Sequence, residues 1–428
     1  MQHRHVFDAL AEVTRREGVE TCFALLGDAN MNWATRLMQK GARLVTVRHE
    51  HCAVAAATAF ARATGEVGVA SVTCGPGLTQ ILTALPAAVR ARTPLVIFVG
   101  EAPLSAGWYN QEIDQAPFVR AAGAQYRRLH HIGRMAEGLR DAFLLARSER
   151  VPVVVGVPFD LQAEAWPDLP LPEPSAALLP ETGPIPPNPD DLARAVQVVE
   201  GAQRIIVMAG RGAVAAGAGP ACRALAERVG GLLSTTLPAR GLFAGDPFSI
   251  GIAGGFASAA ARACFAEAEL VIAVGARLAQ HNTDRGKLWP KAQVLHIDIA
   301  PRTVSQGQIA ARHHLRCDAR LGVEALAAGA APRSSGWRSD ALARFLEETP
   351  ADPAEFPAEA GLFDPRDVVE ALDAALPREW EIVNSSGHCS FYVAQMACRP
   401  VERFHTVREF GAIGNGISYA IGVAVARP

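Results

Sequence analysis

Apolar and polar positions alternate along the chain with a period that switches repeatedly between helix and strand. Residues 6–17, VFDALAEVTRRE, predict an amphipathic helix. Residues 22–26 form a short apolar run ending at Gly27-Asp28-Ala29-Asn30, and residues 31–40 return to a helical pattern. Residues 44–47 are a β-branched run that reads as a strand. It leads into Arg48-His49-Glu50-His51, after which an Ala-rich apolar segment predicts a buried helix. The next strand, 67–72, is stopped by Cys74-Gly75-Pro76-Gly77, and residues 78–89 are expected to be helical. A strand over 95–100, a long irregular segment over 101–117, a helix over 135–147 and an apolar strand over 151–157 complete this part. Strand alternates with helix, so the fold class is α/β with doubly wound parallel sheets. In such sheets ligands bind beyond the carboxyl ends of the strands. Glu50 and the Gly75-Pro76-Gly77 turn both fall there. A carboxylate at a helix N-terminus, beside a turn that lets backbone approach a ligand, outlines a site.

The first domain is expected to span residues 1–162. Residues 163–189 hold nine prolines and read as an extended linker, because proline fixes φ and removes a donor. A central Rossmann-like domain follows over 190–329, with a helix at 190–200, a strand at 204–208, a helix at 220–229 and strands at 270–274 and 293–297. Residues 330–362, rich in Ala, Pro and charge, read as a second loose connection. The third segment, 363–428, carries a helix over 365–376 and a strand over 381–384. It is too short for a doubly wound domain with its own core. Either it completes itself against other parts of the protein, or the sequence stops within a domain.

Composition narrows the function classes. The formal net charge of −2 argues against a general nucleic-acid or anionic-membrane binder. There are 38 Arg against three Lys, scattered among Asp and Glu, which reads as compositional bias and not as a basic face. The eight cysteines show no C-x-x-C pair and no metal-ligand spacing; most sit in apolar contexts as reduced, packed thiols. That pattern, with no leader-like N-terminus and no apolar run long enough to span a bilayer, leads to the expectation of a cytoplasmic protein. Gly27-Asp28-Ala29-Asn30 admits a metal- or phosphate-loop reading, but these are also the default residues of a strand-to-helix turn. Gly210-Arg211-Gly212 follows a strand, yet the third glycine of a dinucleotide fingerprint is Ala215 here.

The stretch RHEHCAVAAATAFARATGEVGVASVTCGPGLTQ, residues 48–80, resembles the cofactor-activating segment of thiamine-diphosphate (ThDP) enzymes of the acetolactate synthase type, large catalytic subunit. The shared pattern is His-Glu, a small-residue helix ending in Ala-Arg-x-x-Gly, a strand, and Thr-x-Gly-Pro-Gly. The family usually has Asn where Gln80 stands. Residues 110–115, Asn-Gln-Glu-Ile-Asp-Gln, resemble its Phe-Gln-Glu-x-Asp-Gln loop, with Asn110 in place of Phe. The His-His pair of the pyruvate decarboxylase branch is absent from this loop, which points to transfer of the acyl unit to a carbon acceptor. Residues 408–416, REFGAIGNG, resemble the segment that holds the cofactor bent, and Gly387-His388-Cys389 the first diphosphate-contacting loop.

The resemblance implies a three-domain architecture whose third domain is incomplete, because the chain contains no Gly-Asp-Gly metal motif. Mg²⁺ on the diphosphate is implied, with ligands expected beyond Pro428; no metal ligand is assigned within the chain. It implies Glu50 as the carboxylate that hydrogen-bonds the aminopyrimidine ring and promotes its imino tautomer. Gln111 is the second catalytic position. The cofactor-binding positions are Gly27, Thr73, Gly75, Pro76, Gly77, Gly387, His388, Cys389, Gly411 and Ile413, with Ile413 as an apolar wedge between the two cofactor rings. Flanking His49 and His51 are expected to support Glu50. The central domain is read as structural, with FAD as the alternative, since the acidic pair that commonly follows Gly-Ala-Arg is Ala279-Gln280 here. The implied activity is decarboxylation of a 2-oxo acid with transfer of a two-carbon unit to an acceptor. The alternatives are another ThDP-dependent decarboxylase or lyase, and a catalytically silent scaffold. Partners are a small 2-oxo acid and further copies of the chain, as a homodimer or homotetramer with sites between subunits, and neither nucleic acid nor membrane.

Overall fold

The computed structural model describes residues 4–357, 359–396 and 399–428. The chain forms two compact units: Met1–Glu181 with Val383–Gly387 and Val407–Pro428, and Thr182–Ile382 with His388–Thr406.

The first unit is built on six strands: β1 (Thr21–Ala24), β2 (Arg43–Thr46), β3 (Gly68–Val72), β4 (Leu95–Glu101), β5 (Gln125–Arg128) and β6 (Pro152–Pro158). All neighbours pair parallel in the order β2-β1-β3-β4-β6-β5. Its helices are α1 (Val6–Arg16), α2 (Met31–Gln39), α3 (Glu50–Thr64), α4 (Pro76–Gln80), α5 (Ala84–Ala91), α6 (Gln115–Ala121) and α7 (Ile132–Glu149). Strand alternation divides the core between the sheet's two faces. Val96, Phe98, Val153 and Val155 join one cluster with α1, α2 and α7, where Trp33 stacks on Phe98 at 4.1 Å. Leu95, Ile97, Val99 and Val154 join the other with α3 and α5. Full burial of each such side chain contributes about 1.5–3 kcal/mol.

Alanine, the best helix former, fills α3. The His49 ring caps its start by accepting from the His51 amide at 3.1 Å, and Gly65 ends it in the left-handed region at φ +82°. Small side chains also let a second helix, Gly416–Ala426, lie directly on α3. A Cβ added at Gly422 would stand 2.1 Å from the Ala56 carbonyl oxygen.

The single helix expected over 78–89 is two helices, α4 and α5. Pro86 is the reason: it has no amide hydrogen and its ring crowds the carbonyl four residues back, so it sits in the first turn of a new helix. The irregular segment expected over 101–117 ends earlier, because α6 begins at Gln115. The strand β5, with sequence QYRR, was not expected; it is a polar edge strand without apolar alternation. The proline-rich stretch is mostly without helix or strand and is pinned at Ser175, which opens a short 3-10 turn over Ser175–Leu178. There the buried Glu17 carboxylate accepts from the Ser175 amide at 2.8 Å and its hydroxyl at 2.5 Å, while Arg147 donates to Ser175 Oγ at 3.0 Å.

The second unit carries β7 (Ile205–Ala209), β8 (Leu232–Thr235), β9 (Ser249–Ile252), β10 (Leu270–Val274), β11 (Gln293–Asp298), a small hairpin of β12 (Val304–Ser305) and β13 (Gln308–Ile309), and β14 (His313–Arg316). Six of them form a parallel sheet in the order β14-β11-β10-β7-β8-β9. A nine-residue helix, Asp340–Glu348, lies within the stretch read as a loose connection. No helix of the described residues is long and apolar enough to cross a membrane.

Candidate functional site

The strand order of the first unit reverses direction between β1 and β3: the chain moves from β1 outward to β2, then returns to β3 and continues the other way. Such a switch point opens a crevice at the carboxyl ends of the strands. Gly27 follows β1, Glu50 follows β2, and Thr73 to Gly77 follow β3, so the sequence-predicted residues of this unit converge there.

The loops after β1 and β3 touch. A Cβ on Gly27 would stand 2.8 Å from Thr73 Cβ, and one on Gly77 would stand 2.9 Å from Thr73 Cγ2. Asn30 is fully buried and turns back: its Oδ1 accepts from the Gly27 amide at 2.8 Å, and its Nδ2 donates to Ser71 Oγ at 2.9 Å and to the Leu25 carbonyl at 3.1 Å. Gly27-Asp28-Ala29-Asn30 is thus a self-satisfied strand-to-helix turn. Thr73 is buried, and its Oγ1 has no hydrogen-bond partner among the described residues. Gly75 is buried at φ +57°, a conformation that favours glycine, whereas Pro76 is exposed and opens α4.

Glu50 is the first residue of α3 and is half-buried. Its carboxylate makes no hydrogen bond or ion pair with the described residues. It stands where the helix dipole favours a negative charge and where its oxygens remain available. Next to it, the His51 ring nitrogen Nε2 bonds Asn415 Oδ1, and Asn415 Nδ2 donates to the Tyr419 hydroxyl at 3.2 Å. Burial lowers the His51 pKa below the usual imidazole value, with the Asn415 bond opposing it and the neighbouring His49 adding to it. Arg62 and Glu409 pair at 3.0 Å, and Ser418 Oγ lies 3.0 Å from Cys52 Sγ. The 408–416 segment is thereby fastened along α3 within one chain. Gly411 at φ +77° and Gly414 at φ +85° shape its turn, and Ile413 between them is 78% exposed.

Gln111 lies against the Gly75 turn of the same chain. Cys74 Sγ is 3.3 Å from Gln111 Oε1, and a Cβ on Gly75 would stand 2.1 Å from the Gln111 carbonyl oxygen. Burial holds the Cys74 thiol above its ordinary range, which leaves it protonated as a donor. Trp108, in the same loop, is 77% exposed. The sequence motif ending at Gln115 drew attention to Gln111 alone; Gln115, buried at 3% exposure, accepts from the Gly75 amide at 3.0 Å. A helix-starting glutamine in a polar loop carries no signal of burial, so only its packing reveals it. Gly387, at φ +122°, closes the Val383–Gly387 segment of the first unit. His388 and Cys389 belong to the second unit, are exposed and stand at the start of the Cys389–Val393 helix.

In the second unit the Gly210-Arg211-Gly212 turn packs on Gly275. The Gly210 and Gly212 amides donate to the Val274 and Gly275 carbonyls at 2.8 and 2.9 Å, and a Cβ on Gly210 would stand 2.3 Å from the Gly275 carbonyl oxygen. These glycines serve loop-on-loop packing, and their amides are already engaged.

A free carboxylate, an unpartnered buried hydroxyl and three glycines without side-chain bulk meet at one switch point. That donor set could receive the aminopyrimidine end of ThDP: the carboxylate for a ring nitrogen, the hydroxyl for a polar ring atom, and the glycine turn for close approach of a flat ring. Among the described residues no group of three or more His, Cys, Asp or Glu could hold a metal ion.

Comparison with known proteins identifies the family to which the chain belongs. Residues 4–118 match the N-terminal TPP binding domain of thiamine pyrophosphate enzymes, and residues 192–326 match the central domain of the same enzymes. The acetolactate synthase large subunit of Parasynechococcus marenigrum is 31% identical, over 98% of this chain and 69% of the relative. The isozyme 2 large subunit of acetolactate synthase from Escherichia coli is 29% identical, over 97% and 74%. A sulfoacetaldehyde acetyltransferase from Rhodobacter capsulatus is 28% identical, over 98% and 75%. Matched along nearly its whole length by such relatives, the chain belongs to the thiamine pyrophosphate enzyme family, on its acetolactate synthase-like side.

Proposed function

We propose that this protein decarboxylates a 2-oxo acid with ThDP and transfers the two-carbon acyl unit to an acceptor, in the manner of acetolactate synthase. The observation that carries the reading is the unpaired carboxylate of Glu50 at the N-terminus of α3, at the sheet's switch point. ThDP, when bound, supplies the carbon nucleophile for the 2-oxo acid carbonyl and the sink for the electrons left by departing CO₂. Glu50 would share a proton between its carboxylate and the pyrimidine ring nitrogen. Thr73, Gly27, Gly75, Pro76 and Gly77 shape the surface against which the pyrimidine end lies. Gln111, seated against Gly75, orients the donor acid. Gly411 and Ile413, with Gly387, His388 and Cys389, are proposed as the remaining contacts. The reading includes Mg²⁺ on the diphosphate, though no step is assigned to the metal. The protein is further proposed to be a cytoplasmic homodimer or homotetramer. Exposed Ile413, in the turn before the Gly416–Ala426 helix, and Ile417, in its first turn, at 78% and 79%, support this part.

The relatives named sulfoacetaldehyde acetyltransferase favour a second reading, in which an acetyl unit is exchanged with a partner other than a second 2-oxo acid. Acyl transfer measured with a panel of 2-oxo acids and with sulfoacetaldehyde separates the two. Glu50→Gln is expected to lower turnover by about 10²–10⁴-fold, the usual contribution of a positioned proton-transfer group. Equal turnover by the variant and the parent would remove Glu50 from the chemistry.

A further inference from the structure

Gln115, itself buried, sits in a hydrogen-bond chain that runs from the buried Gly75 turn out to exposed His130 and that the proposed chemistry does not use. Its Oε1 accepts from the Gly75 amide at 3.0 Å. Its Nε2 donates to the Gly100 carbonyl at 3.0 Å, at the end of β4, and lies 3.1 Å from the Tyr126 hydroxyl. That hydroxyl donates to Glu101 Oε1 at 2.5 Å, and the other carboxylate oxygen of Glu101 bonds His130 Nε2. The side chain thus ties together the loop after β3, the end of β4 and, through Tyr126, the edge strand β5.

The two segments it joins are those of the proposed site. Gly75 lies so close to the Gln111 carbonyl that no side chain fits between them. Gly75 also holds φ +57° with ψ −105°, outside the ordinary wells, and such a peptide keeps its orientation only if its polar groups are held. Its amide is buried, and Gln115 is its acceptor. The glutamine amide suits this place because it accepts at one end and donates at the other; a carboxylate would face the Gly100 carbonyl without a donor, and an apolar side chain would satisfy neither side.

We infer that Gln115 is a positioning residue: it fixes the Gly75 turn against the Gln111 loop and so sets the width of the slot that takes the flat end of the cofactor, with Tyr126 and Glu101 holding it in its rotamer. The inference rests on the proposed ThDP site for its functional half, while its structural half stands on the apo protein.

The test compares the full chain with Gln115→Leu and Tyr126→Phe by two readouts. The first is hydrogen exchange of the Gly75 amide without cofactor, referenced to Ile97 amide exchange in β4. The second is calorimetric titration with ThDP and Mg²⁺. Gln115→Leu is expected to speed Gly75 exchange about tenfold and to weaken ThDP binding by a comparable factor, the scale of one lost buried hydrogen bond, with Ile97 unchanged. Tyr126→Phe keeps the Gly75 bond but loosens the glutamine, so both effects are expected in the same direction at about two- to threefold. Unchanged Gly75 exchange in a folded Gln115→Leu protein overturns the inference. Faster exchange with unchanged ThDP affinity overturns its functional half and leaves a purely structural residue. Should Gln115→Leu fail to fold, Tyr126→Phe is judged by the same criteria. A parent chain that does not bind ThDP at all counts against the proposed function, and Gly75 exchange then decides the role of Gln115 by itself.

Discussion

At the scale of single residues, His51 makes the clearest prediction. Its ring is partly buried beside Glu50, bonded to Asn415 and stacked edgewise with His49 at 6.4 Å between centroids. Burial lowers its pKa in the folded protein below the ordinary imidazole value of 6.5. Between the lowered folded value and 6.5 the unfolded chain therefore binds more protons than the folded one, so stability rises with pH across that window and levels off above it. The denaturation midpoint in urea, followed from about pH 5 to 7.5, is expected to fall on acidification. His51→Asn is expected to remove that part of the slope. An unchanged slope in the variant would mean that other groups carry it. The place of Glu50, after a strand and at the start of an alanine-rich helix, was legible from the sequence, whereas the chemistry proposed for it comes from the family resemblance, since a carboxylate at a helix start more often serves as a cap. Gln115 was not legible, since a glutamine reads as polar and exposed until a neighbouring backbone amide needs an acceptor.

At the scale of elements, Glu17 and Ser175 show how a segment without regular structure is held. Nine prolines deny residues 163–189 most ladder bonds, so this stretch depends on side-chain anchors. The buried Glu17 carboxylate supplies one by accepting twice from Ser175. Ser175→Ala removes the shorter of those bonds to a charged group and is expected to cost about 1.5–3 kcal/mol in chemical denaturation. A loss within error of zero would show that the residue 175 amide and Arg147 satisfy the carboxylate without the hydroxyl. Elements of the first unit that are continuous apolar runs, such as β3, β4 and β6, were readable to within one or two residues. Those governed by a single residue or by tertiary pairing were not: Pro86 divides a helix that periodicity runs together, and β5 exists because β6 offers it an edge.

At the scale of the whole molecule, the thiols report on the two cores together. Burial pushes the thiols of Cys22, Cys222 and Cys317 up to about 12 and that of Cys264 to about 11, so almost no thiolate forms at neutral pH. Cys389 is exposed, and Cys398 lies outside the described residues. Alkylation with iodoacetamide, read by mass spectrometry, is expected to reach Cys389 first and these four only on unfolding. Early modification of Cys22 would contradict the packing of the first unit. Reduced, core-packed cysteines were inferable from apolar context alone, whereas the reversal of strand order that gathers the site was not, because local pattern carries no information on which strands become neighbours. That reversal turns the sheet into a ruler. Glu50 hangs from β2 and the Gly75 turn from β3, with β1 between them, so the gap across the mouth is two strand spacings, about 9.5 Å. Substitutions in the loops can tilt, line or narrow that opening, but the spacing of the strands from which it hangs is set by backbone hydrogen bonds.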